Sequence, residues 1–362
     1  MAGRIVVFGA TGYTGGLIAE RLVAAGEEPV LAGRDTERLA RVAERLGGGA
    51  EVAKADALRQ NSVFSLVEAG DVLISTVGPF TKYGAVAVRA AIAAGAVYLD
   101  STGEPAFIRR IFEEFAEPAA KSGAALLTAQ GYDWVPGALA AALALEDAGP
   151  AAVRVDVGYF TKNASASTGT KESLVGATLD PGFAYRGGRI VTERGAARVR
   201  SFPGAGAAFS AGGAEHFTLP MAYPRLREVN TYLGVVGPLA RGVQLFGAAT
   251  ALAQRGVSGG VVRAVMQAAG ERMVNLLPDR SDARATSRIV ATAHNVHGAE
   301  IGRTTLDGPD PYDFTATFMA WAARRATGGG VQGTGALSPL IAYGGLAGLH
   351  EGCAAAGISE RP

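Results

Sequence analysis

The sequence is poor in cysteine, histidine and lysine, and these shortages exclude several classes of protein. One cysteine, Cys353, and four histidines are present in 362 residues, so an internal disulfide and a cysteine-based metal cluster are excluded. Only five of the 34 basic residues are lysine, and the 33 acidic residues leave a formal net charge of +1. Because no basic run stands out, we expect no nucleic-acid partner.

Long apolar segments without glycine or proline are missing as well. The longest uncharged stretch, Ala326–Leu349, contains eight glycines and Pro339, so it predicts a loop and a short helix instead of a membrane span. The first strand pattern already starts at Ile5, which argues against a signal peptide. We therefore expect a soluble, cytoplasmic protein with no integral membrane segment.

What the first third of the chain does contain is a regular alternation of short apolar runs and amphipathic stretches. The apolar runs are Ile5–Phe8, Pro29–Ala32, Glu51–Lys54, Val72–Thr76, Val97–Leu99 and Ala124–Leu127. Helical patterns lie between them, at Ile18–Ala25, Glu37–Leu46, Val86–Ala94 and Phe107–Ala120. Fully apolar strands alternating with helices are typical of a parallel sheet covered on both faces. The pattern predicts an α/β, Rossmann-type doubly wound parallel sheet.

The rhythm changes after Gly131–Gly137. Val153–Phe160 and parts of Ser287–Val296 alternate apolar and polar residues, which is typical of strands with one solvated face. Helical patterns cover residues 238–254 and 261–276, and a third helix is expected at Phe314–Ala326. These features predict an inserted second α+β domain with a mixed or antiparallel sheet.

We place the first domain at residues 1–135 and the second at 136–330. The C-terminal residues 331–362 are expected to pack back on the first domain. The apolar helical region 233–277 is interpreted as an oligomer contact, giving a homodimer through the second domain, or as a pocket for an acyl chain.

The motif that decides the function of the first domain is Gly9-Ala10-Thr11-Gly12-Tyr13-Thr14-Gly15, between a strand and a helix. Gly9 permits a tight turn, Gly12 lets a pyrophosphate approach the backbone, and Gly15 allows close packing of helix and strand. The N–H groups at the start of the helix would hold the diphosphate. In this βαβ context the motif predicts a dinucleotide site formed by Gly9, Thr11, Gly12, Tyr13, Thr14 and Gly15.

The choice of dinucleotide depends on the end of the second strand, which reads Ala32-Gly33-Arg34-Asp35. Sites that prefer NAD carry an acidic residue there for the ribose 2′-hydroxyl. Arg34 instead offers a planar cation suited to a 2′-phosphate. Asp35 is a competing feature, unless it caps the next helix near Arg38. The sequence favours NADP(H) as the cofactor.

Candidate residues for the reaction follow the later strands, whose carboxyl ends should meet at one crevice. Gly78, Pro79 and Phe80 follow the fourth strand, and Phe80 is either a wall for the nicotinamide or a core aromatic. Tyr83, expected in the same loop, and Asp133, after the sixth strand, are candidate catalytic groups. Their alternative role is to cap or pack against helices.

Further polar side chains flank these positions. Asp100 and Glu104 follow the fifth strand, and Tyr132 precedes Asp133; they orient a substrate or cap a helix. In the second domain Lys171 lies in the hydroxyl-rich segment 167–173. Lys171 is a third catalytic candidate, although the segment also resembles a helix cap.

Other chemistries find little support in the sequence. His294 and His297 would not share a strand face, and no third ligand has metal-site spacing, so we expect no metal. No tyrosine has lysine four residues later, which argues against a short-chain dehydrogenase. A nucleophile-elbow pattern for a serine hydrolase is also missing.

Four segments together resemble the saccharopine dehydrogenase-like oxidoreductases. They are Gly9–Gly15, Ala32–Arg34, Val77–Gly84 and Tyr98–Glu104. Residues 131–136 and 308–312, Gly-Tyr-Asp-Trp-Val-Pro and Gly-Pro-Asp-Pro-Tyr, resemble the trans-acting enoyl reductase branch. The resemblance covers most of the chain, with a gap at 180–225.

The resemblance implies an NADPH-dependent reductase with an inserted mixed-sheet domain. In the enoyl reductase branch the substrate is a polyketide or lipid acyl chain presented by a carrier, and in the saccharopine branch it is an imine or its amine product. The expected reaction is thus reduction of a C=C or C=N bond. The alternative is a non-catalytic, NADP-sensing regulator, which would not require the large second domain.

Overall fold

The computed structural model describes residues 3–162, 182–193, 196–234 and 285–361. The chain divides into two compact units. The first comprises Met1–Gly103, Phe107–Val135 and Pro311–Gly357, and the second comprises Glu104–Ala106, Pro136–Asp310 and Ile358–Pro362.

The strands and helices are numbered here in chain order over the described residues. The strands are β1 Ile5–Phe8, β2 Val30–Gly33, β3 Val52–Lys54, β4 Val72–Ser75, β5 Val97–Asp100, β6 Ala125–Leu127, β7 Arg154–Lys162, β8 Gly182–Arg186, β9 Arg189–Glu193, β10 Val199–Phe202, β11 Gly206–Ala211, β12 Glu228–Gly234, β13 Thr286–His294, β14 Glu300–Gly308, β15 Gly335–Ala336 and β16 Ser359–Glu360. The helices are α1 Tyr13–Ala24, α2 Thr36–Arg45, α3 Gln60–Phe64, α4 Phe80–Ala94, α5 Pro105–Arg110, α6 Ala116–Ser122, α7 Val135–Ala148, α8 Glu215–Ala222, α9 Pro311–Thr327, α10 Pro339–Ala342 and α11 Gly345–Ala355.

The first unit is built on a parallel sheet with the strand order β15-β6-β5-β4-β1-β2-β3. All of its neighbouring strands run parallel. Every residue of β1, β2 and β4 is buried, as expected for strands that are covered on both faces. The predicted Rossmann-type sheet is confirmed.

Two helices differ from their predicted positions. Helix α4 begins at Phe80, six residues before the pattern at Val86, and its buried face already includes Phe80 and Gly84. Helix α9, which we assigned to the second domain, belongs to the first unit. It packs there against α1 and buries Phe314 and Phe318. The described part of the last segment, 331–361, divides after Gly357 between the two units.

The second unit contains a mixed sheet, also as predicted. Seven of its strands follow the order β10-β11-β12-β7-β13-β14-β16. Strand β8 also pairs with β12, and β9 pairs with β8. Strands β12 and β7 are parallel, whereas β7, β13 and β14 pair in antiparallel fashion. The solvated face expected from the alternation at Val153–Phe160 is not found, because β7 is buried on both faces from Val155 to Tyr159 and even Asp156 is only 1% exposed.

Candidate functional site

The glycine loop lies at the point in the first sheet where the strand order reverses. Strands β2 and β4 flank β1 on its two sides, and the chain leaves β1 at Phe8 directly into the loop. In open parallel sheets, ligands bind in the crevice beyond the carboxyl ends of the strands at such a reversal. The loops after β1 and β4 therefore form the candidate dinucleotide site.

Gly9 and Gly15 are required by packing within this loop. Gly9 has a φ of +99°, a conformation that favours glycine. A Cβ on Gly15 would lie 2.3 Å from the Gly9 carbonyl oxygen and 2.7 Å from Thr76 Oγ1. The Thr76 hydroxyl itself donates to the Gly9 carbonyl at 3.3 Å. Close contact between the start of α1 and the end of β4 thus depends on both glycines.

Gly12 differs from Gly9 and Gly15, because the protein itself leaves room beside it. Its φ is −78°, which any residue can adopt, and a Cβ there would meet only the Gly9 carbonyl, at 3.2 Å. Gly12 is exposed, and so is Tyr13, while Thr11 and Thr14 are half-buried.

The start of α1 supplies the donors that a diphosphate needs. Gly12 is the N-cap residue of the helix, no side chain caps it, and its first turn holds no acidic residue. Free N–H groups at a helix start are suited to an anion. The loop therefore fits the diphosphate of a dinucleotide, as the motif predicted.

Beyond β2, two arginines lie beside this loop. Arg34 is exposed directly after the strand. The Arg38 guanidinium reaches back and donates to the Thr11 carbonyl oxygen at 3.4 Å. The Asp35 carboxylate accepts the Arg38 backbone N–H at 3.0 Å and is the N-cap of α2. Asp35 thus has the capping role, and the Arg34 and Arg38 cations remain exposed at the end of β2 and the start of α2. Arg38 was mentioned only as a neighbour in the sequence analysis.

The segment Gly78-Pro79-Phe80 is divided between surface and core. Gly78 is exposed, and a Cβ on it would make only ordinary contacts, at 3.7 Å or more. The Phe80 ring, by contrast, is 6% exposed and packs against the Phe107 ring with centroids 5.6 Å apart. Of the two roles considered for Phe80, the structure places it in the core.

Tyr83 does not lie in the loop, which corrects our prediction. It is in the first turn of α4, where its N–H donates to the Pro79 carbonyl at 2.9 Å. Pro79 is the N-cap residue of this helix. Tyr83 is half-buried, and the Lys82 ammonium lies 4.9 Å from the centre of its ring.

Asp133 lies after β6, beside the residues that follow β5. A Cβ on Gly103 would be 3.4 Å from Asp133 Oδ2. Within the described ranges, nothing hydrogen-bonds to this carboxylate, and desolvation raises its pKa to about 6. A half-buried carboxyl with such a pKa can hold or release a proton near neutral pH.

Asp100, in contrast, has a structural role: its hydrogen bonds link the residues that follow β5 and β6. It is fully buried and accepts hydrogen bonds from the N–H groups of Thr102 and Ala129, at 3.0 and 2.8 Å. The Thr128 hydroxyl donates to its Oδ2 at 2.8 Å. Burial raises the pKa of Asp100 to about 6. These contacts fix the turn that leads into Tyr132 and Asp133.

Two tyrosines, Tyr132 and Tyr13, contact residues of α9. The Tyr132 N–H donates to Thr315 Oγ1 at 2.9 Å, and Tyr132 is buried. The Tyr13 ring meets the Tyr312 ring edge to face, with centroids 5.0 Å apart. Tyr312 was missed as a site residue. The signal was its position in one of the motif segments at 308–312.

Several predicted features lie outside the described residues or in the other unit. Lys171 with the segment 167–173, and both helical patterns at 238–254 and 261–276, fall outside the described ranges. Glu104 is buried and belongs to the second unit. In the described part of the chain, no three His, Cys, Asp or Glu side chains form a group suited to a metal. The helices described there are all too short or too polar to cross a membrane.

Comparison with known proteins connects this geometry to a family. Residues 5–153 match the family described as the saccharopine dehydrogenase NADP-binding domain. A Mycobacterium tuberculosis protein, provisionally named a trans-acting enoyl reductase, is 42% identical over 137 residues, which are 36% of this chain and 33% of that protein. A trans-acting enoyl reductase of Mycobacterium leprae is 38% identical over 137 residues, again 36% of this chain and 33% of that protein. The matched part thus spans about a third of these relatives, less than the resemblance inferred from the motifs.

The fold as a whole matches a solved structure. Saccharopine dehydrogenase (L-Glu forming) from Saccharomyces cerevisiae superposes with a TM-score of 0.62, at 13% identity, over 97% of this chain and 96% of that chain. At this identity the likeness concerns the fold alone.

Residues 5–153 are thus similar in sequence to the saccharopine dehydrogenase NADP-binding domain. The predicted resemblance to this family and to its enoyl reductase branch is confirmed. The matching family is named for an NADP-binding domain and the relatives are named for an enoyl reductase, so both similarities are to oxidoreductases.

Proposed function

We propose that this protein is an NADPH-dependent oxidoreductase that reduces a C=C or C=N bond. The observation that carries the proposal is the glycine loop at the strand reversal, with Arg34 and Arg38 beside it. Space beside Gly12 and an uncapped α1 suit the diphosphate. The Arg34 and Arg38 cations suit a 2′-phosphate in preference to a 2′-hydroxyl. The Asp35 carboxylate is engaged in capping α2.

The residues that would hold the cofactor are those of the two loops and the end of β2. The set is Gly9, Thr11, Gly12, Tyr13, Thr14, Gly15, Arg34, Gly78, Pro79 and Phe80, with Arg38 added by the geometry. Phe80 acts from the core, since it supports the Gly78-Pro79 backbone through its contact with Phe107. When bound, NADPH supplies the hydride.

Asp133 is the first candidate to hold and move the proton of the reaction. Hydride addition leaves negative charge that a positioned acid can neutralise, an effect typically worth roughly 10²–10⁴-fold. A pKa of about 6 keeps part of this carboxyl protonated near neutral pH. Tyr83 and Lys171 are the other candidates, and Tyr83 acts from the first turn of α4.

The names of the relatives favour a C=C bond in an enoyl group, and the fold is equally compatible with a C=N bond in an imine. By family resemblance the enoyl substrate would be a polyketide or lipid acyl chain on a carrier. We also propose a cytoplasmic protein that forms a homodimer through the second domain, which light scattering of the purified protein would test.

The experiment that tests the function is NADPH oxidation against a panel of enoyl thioesters and cyclic imines. A substrate that is turned over identifies the reduced bond. Tyr83→Phe, Asp133→Asn and Lys171→Met then test the proton donor, with Lys162→Met as the control for lysine removal. A loss of kcat at unchanged NADPH affinity identifies the donor. Tight NADPH binding with no turnover of any substrate would favour the non-catalytic sensor instead.

A further inference from the structure

The second unit carries a cluster of four arginines on one face of its sheet. Arg154 and Asp156 lie on β7, opposite Glu228 and Asn230 on β12 and opposite His294 and Thr292 on β13. Directly paired residues share a sheet face, so these side chains lie together. Arg186, Arg198 and Arg200 complete the cluster, and with Tyr232 they line a cavity of about 300 Å³.

The acidic side chains of the cluster do not neutralise it. Asp156 is 1% exposed and is shared between Arg154, at 3.0 Å, and Arg200. Arg186 pairs with Glu228 and Arg198 with Glu193. Four guanidinium groups therefore face three carboxylates. His294, which lies opposite Arg154, adds no charge near neutral pH, because burial lowers its pKa below the ordinary value.

Two N–H donors of these arginines also lack a hydrogen-bond partner among the described residues. The Nε atoms of Arg154 and Arg198 are buried, and neither has a hydrogen-bond partner in the part of the chain that the structure describes. Burial lowers the pKa of Arg186, and the nearby Arg198 adds to this effect, while Glu228 and Glu193 oppose it. Buried donors and repelling cations are costly unless an anion relieves them.

We propose that this arginine cavity binds the phosphoryl group of a phosphorylated small molecule or cofactor arm. Planar guanidinium forks bind phosphate oxygens in pairs, and Tyr232 adds a hydroxyl to the lining. Small-molecule sites range over roughly 300–1,000 Å³, so the cavity holds a phosphoryl group with a short organic part. The proposal does not depend on the cofactor site, since all of these residues belong to the second unit.

The test is calorimetric titration of the full-length protein with inorganic phosphate at constant ionic strength, with chloride as the balancing anion. The wild type is compared with Arg186→Gln/Arg198→Gln. The matched control is Arg109→Gln/Arg110→Gln, because these arginines are also half-exposed and ion-paired, with Glu113 and Glu114. We expect saturable binding to the wild type and the control, and at least a tenfold loss in the cavity variant.

Equal phosphate affinity in all three proteins, or no saturable binding to the wild type, would overturn the proposal, since phosphate would then bind elsewhere or nowhere. Succinate is titrated in parallel, and tighter binding of succinate than of phosphate would reject the phosphoryl assignment. If the double variant does not fold, Arg186→Lys replaces it. Lysine keeps the charge and loses the fork, so an unchanged phosphate affinity in that variant also overturns the proposal.

Discussion

The Asp35 carboxylate accepts a hydrogen bond from the backbone N–H of Arg38 at 3.0 Å. This contact gives the acidic residue at the end of β2 a structural task, the capping of α2. It also positions Arg38, whose guanidinium donates to the Thr11 carbonyl in the glycine loop. One hydrogen bond thus removes the feature that competed with NADP(H) and places a second cation at the loop.

Replacement of Arg34 by alanine should weaken NADPH binding much more than NADH binding. A lost charge-assisted hydrogen bond costs about 1.5–3 kcal/mol, roughly a tenfold to hundredfold change in affinity. Fluorescence titration with both cofactors measures the difference. Arg41→Ala, at an exposed arginine on the following helix α2, is the control and should bind NADPH normally. Equal losses for NADPH and NADH in Arg34→Ala would remove this residue from the 2′-phosphate site.

Replacement of Gly12 by valine should abolish NADPH binding and leave a folded protein. The backbone at Gly12 is extended, so valine is permitted there, and its methyl groups would occupy the path of the diphosphate. Calorimetry with NADPH measures the affinity. Gly16→Ala is the control, because a Cβ there makes only ordinary contacts, at 3.6 Å or more. A folded Gly12→Val protein with normal NADPH affinity would show that the loop does not hold the cofactor.

The Asp133 carboxyl should give both activity and stability a dependence on pH. As a proton donor it acts in its protonated form, so kcat should fall as the pH rises through about 6. The pKa is raised in the folded state, so the folded protein binds this proton more tightly than the unfolded chain. Stability from this group is therefore present at low pH and is lost as the pH rises from about 4 to about 6.

Asp133→Asn separates these two effects. The variant should lose kcat and gain about 1–2 kcal/mol of stability at pH 8, with partial exposure of the group allowed for. A pH–rate profile and urea unfolding at pH 5 and pH 8 measure both. Full activity of Asp133→Asn on an identified substrate would transfer the donor role to Tyr83, Lys171 or water.

Replacement of Asp100 by alanine should destabilise the protein by at least about 3 kcal/mol. The change leaves the N–H groups of Thr102 and Ala129 and the Thr128 hydroxyl buried without their acceptor, at about 1–3 kcal/mol for each group. Asp100→Asn is the control and should cost about 1 kcal/mol, because an amide oxygen can still accept both N–H groups. Urea unfolding that gave equal stabilities for the two variants would contradict the structural role of the Asp100 hydrogen bonds.

The first unit could be predicted closely from the sequence, because fully apolar runs leave little choice for a strand buried on both faces. The predicted runs at Ile5–Phe8 and Val72–Thr76 agree with β1 and β4 to within one residue. The start of α4 was missed, although Phe80, Gly84 and Ala87 are buried at helical spacing. Gly84 has no side chain to extend the apolar pattern, so the helix was predicted only from Val86.

The site was predicted in its location and less well in its individual residues. Strand order brings the loops together, and parallel strands share one carboxyl edge. Which way a side chain points depends on distant partners: Phe80 turns inward because Phe107 receives it. Tyr312 comes to Tyr13 from a segment about 300 residues away in sequence. The arginine cluster was missed for the same reason, since its four arginines come from three separate strands and a loop.

The most direct test of the account is a parallel titration of the wild-type protein with NADPH and NADH under identical conditions. The account predicts that NADPH binds at least tenfold more tightly, because Arg34 and Arg38 meet a 2′-phosphate that NADH lacks. Equal affinities, a preference for NADH, or no binding of either dinucleotide would contradict it.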